Sequence, residues 1–430
     1  MHKIVTSCRR VLAFRVLAAA GAAAVIPSCA SSPAWTSRLA SPVPEPRADS
    51  GEPEQAGLVA VAGSATTPPR RAREHPSAAL PDIADPVPGE RSDPMNIVTL
   101  PGADASLTPA HADAITQVTT SEDGADFDPS VSRDGSFVVY ASTQHRTTAD
   151  LYRRAVGSRA VTQLTSDPAQ DVMPAVSPDG SRIAFASNRS GSWDIFVMNA
   201  KGGQAVQVTS DPGAELHPTW SPDGTRIAFC RLSQSSGRWE LWIIDAGDAA
   251  AAEFIGYGLF PDWCPIAGRG ADGRDQILFQ RARERGSRAY SIWTVDYAPG
   301  QVSSPTELVA IPGLAAINPV WAPDGRSIAF STVAPDATRP GILPSAADLW
   351  IASADGSERV NLTAGQGVSM QPRWAKDGRL YFVSNRSGRD NLWSIGTAGA
   401  LAAMRQTTGE GAPASAGSSP PAQASADDHN

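Results

Sequence analysis

Cysteine is scarce: the 430 residues hold four, Cys8, Cys29, Cys230 and Cys264. No two stand at C-x-x-C spacing, which removes a zinc ribbon and a thioredoxin-type redox pair. Histidine is almost as thin, and only His145 and His217 fall within the regularly patterned part of the chain. A G-x-S-x-G elbow, an H-E-x-x-H helix and a phosphate-binding glycine loop are all missing, so no motif nominates a nucleophile, a zinc hydrolase or a nucleotide site. Positive charge is in deficit too. The formal net charge is −8 with no long Lys/Arg run, the reverse of what nucleic acid or anionic lipid attracts. Beyond residue 26 no apolar run is long enough to span a bilayer.

The one apolar run that exists lies at the start. His2, Lys3, Arg9 and Arg10 form a basic head, and Val11 to Ile26 is apolar apart from Arg15. This reads as a signal peptide over residues 1–28. The following Ile26-Pro-Ser-Cys29 resembles the bacterial lipobox, departing from it at Pro27, where a small residue is usual. The resemblance implies lipidation of Cys29, so that membrane attachment runs through the lipid alone. Residues 29–112 are rich in Pro, Ala and Ser, as in Pro42-Val-Pro-Glu-Pro46, without a lasting apolar period. Such composition buries too little surface to offset ordering entropy, and predicts a disordered tether. Residues 409–430 read likewise as a disordered tail.

Between them the chain repeats. Asp-Gly pairs begin at Asp134, Asp179, Asp223, Asp272, Asp324 and Asp377, spaced 45, 44, 49, 52 and 53 residues apart. Each follows a Pro-x-(Trp or Val) unit, such as Pro174/Val176 and Pro218/Trp220, and precedes an apolar triplet ending in an aromatic, such as Ile183-Ala-Phe185 and Ile227-Ala-Phe229. A third run follows (Ile195-Phe196, Leu241-Trp242), then a fourth (Gln163-Leu-Thr165, Gln207-Val-Thr209, Asn361-Leu-Thr363). Within Ser-Pro-Asp-Gly, Pro pre-sets φ, Asp caps the turn and Gly takes the positive φ that starts the return strand.

Each copy therefore reads as four short antiparallel strands whose two apolar faces need neighbours. The expected fold is all-β: a six-bladed β-propeller of four-stranded antiparallel blades over residues 113–408, a ring whose closure hides the terminal faces. Both Ile115–Thr119 and Met404–Thr408 could supply the outer strand of blade six. The stronger alternation of the first favours it, so that both chain ends would close the ring. Cys230 and Cys264 fall at opposite ends of their strands, which argues against a disulfide.

Pro218 to Phe229 and Pro174 to Phe185 resemble the WD-like repeat of the TolB propeller family, as do Ser187-Asn-Arg-Ser-Gly191 and Ser384-Asn-Arg-Ser-Gly388. The resemblance covers residues 115–408. It implies a periplasmic protein that binds a peptidoglycan-associated lipoprotein within a cell-envelope assembly. The chain departs from the family in lacking the α/β domain that precedes the TolB propeller. The same propeller type also precedes hydrolase domains, for which no sequence remains after the sixth repeat.

Propeller function sits around the central channel, and equivalent positions can be compared blade by blade. The residue before the repeated Pro is Asp128, Met173, His217, Phe260, Asn318 and Gln371; two positions earlier stand Asp126, Asp171, Glu215, Gly258, Ala316 and Ser369. Their chemical variety suits a partner-binding rim. Asp126, Asp128, Asp171 and Glu215 would make an acidic half-rim for a basic peptide or, less directly, a Ca²⁺ ion, although no D-x-D-x-D-G loop supports calcium. Arg189 and Arg386 read as loop staples. The function expected is a monomeric, non-catalytic envelope scaffold without cofactor or metal that binds a protein or peptide. The alternatives are a lyase or glycan hydrolase acting at the channel mouth, with His217 as a candidate, and a small-ligand or sugar sensor.

Overall fold

Alternating apolar residues that end in an aromatic are what a strand packed on both faces requires. In the computed structural model these triplets form the second strand of every blade. The structure describes residues 105–106, 114–247, 251–282, 289–334 and 344–407. The signal segment, Cys29 and the tail from residue 409 lie outside the described residues.

Blade two shows the pattern. Asp171–Val176 pairs antiparallel with Arg182–Ser187, that with Asp194–Asn199, and that with Val206–Gln207. Five further sheets repeat it, with innermost strands Asp126–Val131, Glu215–Trp220, Leu259–Trp263, Ala315–Trp321 and Ser369–Trp374. Each innermost strand packs against the next, and that of blade six against that of blade one. The ring is closed, with six blades.

The core lies between blades. Tyr140, Phe185, Phe229, Phe279, Phe330 and Phe382, the last residues of the six triplets, are each at most 2% exposed. Leu151, Ile195, Leu241, Ile292, Leu349 and Leu392 of the third strands are as deeply buried. Each such side chain contributes about 2 kcal/mol of burial free energy, which a blade standing alone would forfeit.

Closure uses the N-terminal strand. Thr116–Gln117 pairs antiparallel with Asn391–Gly396 of blade six. The amide N–H of Leu392 donates to Thr119 Oγ1 (3.0 Å), and Ser121 N–H donates to Asn391 Oδ1 (2.8 Å). Within blades the same oxygen does the same work: Leu151, Ile195 and Leu349 donate to Thr165, Thr209 and Thr363. The competing segment at Met404 is helical instead, within Ala398–Thr407, and packs Ala400 and Met404 into the core.

Two features depart from the repeat as read. Ala105–Ser106, inside the stretch expected to be tether, pairs in parallel with Val360–Asn361 and adds a fifth strand to blade five. In blade four, Asp272-Gly273 does not form the tight Asp-Gly turn. It sits in a 3-10 turn (Ala271–Gly273) within a longer connection between Trp263 and Asp275. The position held by the turn-anchoring serine in blades one to three, and by Ala322 and Ala375 in blades five and six, is Cys264 here. In blade one, by contrast, Ser132 Oγ donates to Asp134 (2.6 Å) and accepts from Phe137 N–H (3.0 Å). The Ser132 hydroxyl, with the amide and hydroxyl of Ser136 (3.0 and 2.8 Å), holds the Asp134 carboxyl down at about 2.

Candidate functional site

The six residues that precede the repeated proline share a backbone conformation. Asp128, Met173, His217, Phe260, Asn318 and Gln371 all have φ between 47° and 57°. Residues before proline favour extended backbone, and non-glycine residues rarely take positive φ. The reason is a bulge: in each blade the register between the first two strands slips across this residue and its proline, as between Leu216 and Thr219. The extra residue turns the strand and aims its side chain at the axis. Because the strain recurs in all six blades, it belongs to the repeat rather than to one site.

All six line a single cavity of about 190 Å³ that follows the ring axis. Two more layers complete its wall. The first is the middle residue of Pro-x-(Trp or Val): Ser130, Ala175, Thr219, Asp262, Val320 and Arg373. The second, at the mouth on the Asp-Gly-turn end, comprises Arg133, Pro178, Pro222, Pro265, Pro323 and Lys376. The opposite end carries the connections into each innermost strand and the loops between second and third strands.

Hydrogen bonds tie the layers between blades. Gln371 Nε2 donates to Asp128 Oδ1 (2.7 Å), while Met173 N–H donates to Asp128 Oδ2 (3.2 Å). His217 stacks on Phe260 with ring centroids 3.6 Å apart. One layer down, Val176, Trp263 and Trp321 N–H groups donate to Ser130, Thr219 and Asp262 of the preceding blade (3.0, 3.3 and 2.7 Å). Desolvation pushes the Asp262 carboxyl up to about 6, against the pull of Arg373 and the Trp321 amide.

The acidic half-rim is not assembled. Of the four carboxylates only Asp128 lines the channel; Asp126, Asp171 and Glu215 are at most 1% exposed and face inward among their own loops. Asp171 receives both of its contacts from Arg189 NH2 at 2.8 Å, and Glu215 accepts from Arg231 Nε at 2.9 Å. Ser121 Oγ donates to Asp126 (2.6 Å). Burial pushes Glu215 up to about 7 in spite of a Thr209 hydrogen bond and Arg231. A buried carboxylate without donors would be costly, and each of these acids has at least one, although Arg189 and Arg231 are shared with Asp167 and Asp211 and Asp126 has a neutral serine. Buried as they are, none offers its carboxylate to a partner at the rim. At the matching position of blade four, a Cβ on Gly258 would come within 2.4 Å of Phe279. Arg189 and Arg386 are staples, as expected: Arg386 donates to Ser384 and Ser369 (both 3.0 Å) and lies over Phe382 and Trp393.

Sequence reasoning missed Asp262, Arg373 and Arg133. For Asp262 and Arg373 the signal was available, because the variable x of Pro-x-Trp sits two residues after the residue before proline and so points the same way; Arg133 stands instead at the second position of the Asp-Gly turn. Among the described residues no group of three His, Cys, Asp or Glu side chains could hold a metal ion. Cys230 and Cys264 are both free and buried.

Residues 110–251 match the family described as the TolB beta propeller domain. The ring is a TolB-like six-bladed β-propeller. Among solved structures, this TolB-like chain is similar to a putative TolB from Agrobacterium tumefaciens, at 19% identity and TM-score 0.46, covering 66% of this chain and 90% of that one. It is also similar to TolB from Acinetobacter baumannii, at 22% identity and TM-score 0.45, covering 61% of this chain and 58% of that one. An oligogalacturonate lyase from Vibrio parahaemolyticus aligns at 11% identity and TM-score 0.46, over 66% and 94% of the two chains. No curated protein matches by sequence.

Proposed function

We propose that this TolB-like propeller is a non-catalytic binding scaffold of the cell envelope, exported by residues 1–28 and anchored through lipidated Cys29. It engages a protein or peptide partner at the connection end of the ring. One observation carries the reading: six equivalent backbone positions present an acid, a thioether, an imidazole, a phenyl ring and two amides around one axis. A repeat that keeps its framework while varying this ring supplies a shaped, mixed polar and apolar channel wall, most of it buried, the composition of a recognition site for a side chain or chain end inserted along the axis. The burial of Asp126, Asp171 and Glu215 shifts the expected partner away from a basic peptide, towards one recognised by shape and mixed contacts. A tether of about 80 residues would reach roughly 50 Å from the membrane, far enough to sample peptidoglycan-associated proteins.

The test is capture from detergent-solubilised envelope with the full chain as bait, beside a variant carrying Met173→Ala and Phe260→Ala. The proposal expects a discrete partner held by the native chain and lost with the variant, while a circular dichroism spectrum shows the ring intact. Equal capture by both would refute it. For the anchor, mass spectrometry of the processed N-terminus is expected to find acylated Cys29; a free, unmodified Cys29 would remove that part of the reading.

A further inference from the structure

The cavity wall below the bulge ring carries two opposite charges that do not meet. Asp262 in blade four and Arg373 in blade six belong to the same layer, with Val320 of blade five between them. The Arg373 charge acts on Asp262, yet no ion pair joins them among the described residues. Asp262 gives one oxygen to the Trp321 amide. The Arg373 guanidinium donates to the adjacent Pro372 carbonyl (3.1 Å), which leaves most of its five N–H donors uncommitted. Hydroxyl and carboxylate side chains at this position staple neighbouring blades, as Ser130 and Thr219 do; an arginine cannot accept a backbone N–H, so Arg373 has no such duty.

The surrounding wall is rich in donors. The indole N–H of Trp220 reaches the Ala175 carbonyl (2.9 Å) and that of Trp263 reaches Asp275 (3.1 Å). Those of Trp321 and Trp374, whose residues also line the cavity, are buried without an acceptor among the described residues. Prolines and Val320 supply apolar surface between the charges. Across the turn-end mouth, Arg133 NH2 of blade one donates to the Pro265 carbonyl of blade four (3.0 Å), on the opposite side of the ring. Arg133 is exposed and can swing aside.

We propose that this cavity binds a small zwitterion of the amino-acid or dipeptide class, its carboxylate on Arg373 and its ammonium on Asp262, admitted past Arg133. A guanidinium matches a carboxylate with two parallel hydrogen bonds, and an ammonium meets the charge of Asp262. A molecule bearing both closes the gap that the protein leaves open. The site is entered from the turn end and lies one layer below the ring of the proposed function in the same cavity; its test reads a small ligand on Asp262 and Arg373 rather than partner capture, so either proposal can fail alone.

Four tryptophans line the cavity, so intrinsic fluorescence of the full chain reports occupancy. The probes are glycyl-leucine, its N-acetyl derivative and its C-terminal amide. Saturable quenching by glycyl-leucine is expected, with either blocked form at least about tenfold weaker. Arg373→Gln and Asp262→Asn should each weaken glycyl-leucine by about tenfold or more; Asn keeps an oxygen for the Trp321 amide, so the fold is retained. Arg133→Ala should speed both association and release. Absence of saturable quenching up to about 10 mM in the native chain and in Arg133→Ala would overturn the proposal. So would equal affinity for the blocked peptides, or affinity indifferent to Arg373 and Asp262.

Discussion

Replacing Thr119 by valine removes one oxygen from the seam of the ring and changes almost nothing else. Valine has the shape of threonine, and Thr119 is 4% exposed. Its hydroxyl receives the Leu392 N–H at 3.0 Å, beside the main-chain bonds from Val118 (2.8 Å) and Thr119 (3.2 Å) to the Leu392 carbonyl. In the variant the Leu392 amide is buried against a methyl group, and an unsatisfied buried donor costs about 1–3 kcal/mol. The Thr165→Val control deletes the equivalent bond from Leu151 N–H (2.9 Å), but inside a continuous hairpin of blade one. The two variants should lose similar global stability by denaturant unfolding. They should differ in where the loss is felt. At the seam, strand and blade are joined only by pairing across about 270 residues of chain, so the outer strand can leave without unfolding its blade. Native-state hydrogen exchange should therefore accelerate about five- to a hundredfold at amides of 392–396 in T119V, with blades two to four unchanged. Uniform acceleration through all blades, or none at blade six, would refute a seam made by the N-terminal strand.

Other predictions follow from the buried charges. Arg189→Ala strands Asp171, whose side chain is 0% exposed, and should destabilise the fold by about 3 kcal/mol. Asp167→Asn, which removes the charge of the half-buried partner of the same arginine, should cost about 0.5 kcal/mol; urea midpoints distinguish the two. Glu215 has its carboxyl raised from 4.5 to about 7, so between those values the folded chain holds a proton that the unfolded chain has released. Its contribution is complete below about pH 4.5 and is lost as pH rises through 7, by on the order of 2 kcal/mol. E215Q should flatten that part of the stability–pH curve, and an unchanged slope would assign the titration to another group.

Much of the ring was legible because six copies of one pattern average out local ambiguity. The Asp-Gly turns, the aromatic triplets and the third-strand Leu/Ile each fell where a two-faced blade needs them. Even the closing strand could be read, since Gln117-Val-Thr119 repeats Gln207-Val-Thr209 and performs the same bond. Blade four was misread at Asp272, although the longer separation of Pro261 from Asp272 than of Pro218 from Asp223 already marked a different connection. The site was half legible. Position before proline correctly grouped Asp128 with Gln371 and His217 with Phe260, but the count of two per strand wrongly sent Asp126, Asp171 and Glu215 to the same surface. A bulge hidden from sequence reverses that alternation. Periodicity could not reveal that each acid meets an arginine or serine from a neighbouring segment.

The central claim, that recognition happens at the connection end of the ring, is tested most directly by photocrosslinking in native envelope. A crosslinking residue at exposed His145, in a connection-end loop of blade one, should join the full chain to a discrete partner. The same group at Val206, 63% exposed on the outer edge of blade two, should not. Crosslinks from Val206 with none from His145 would contradict the account.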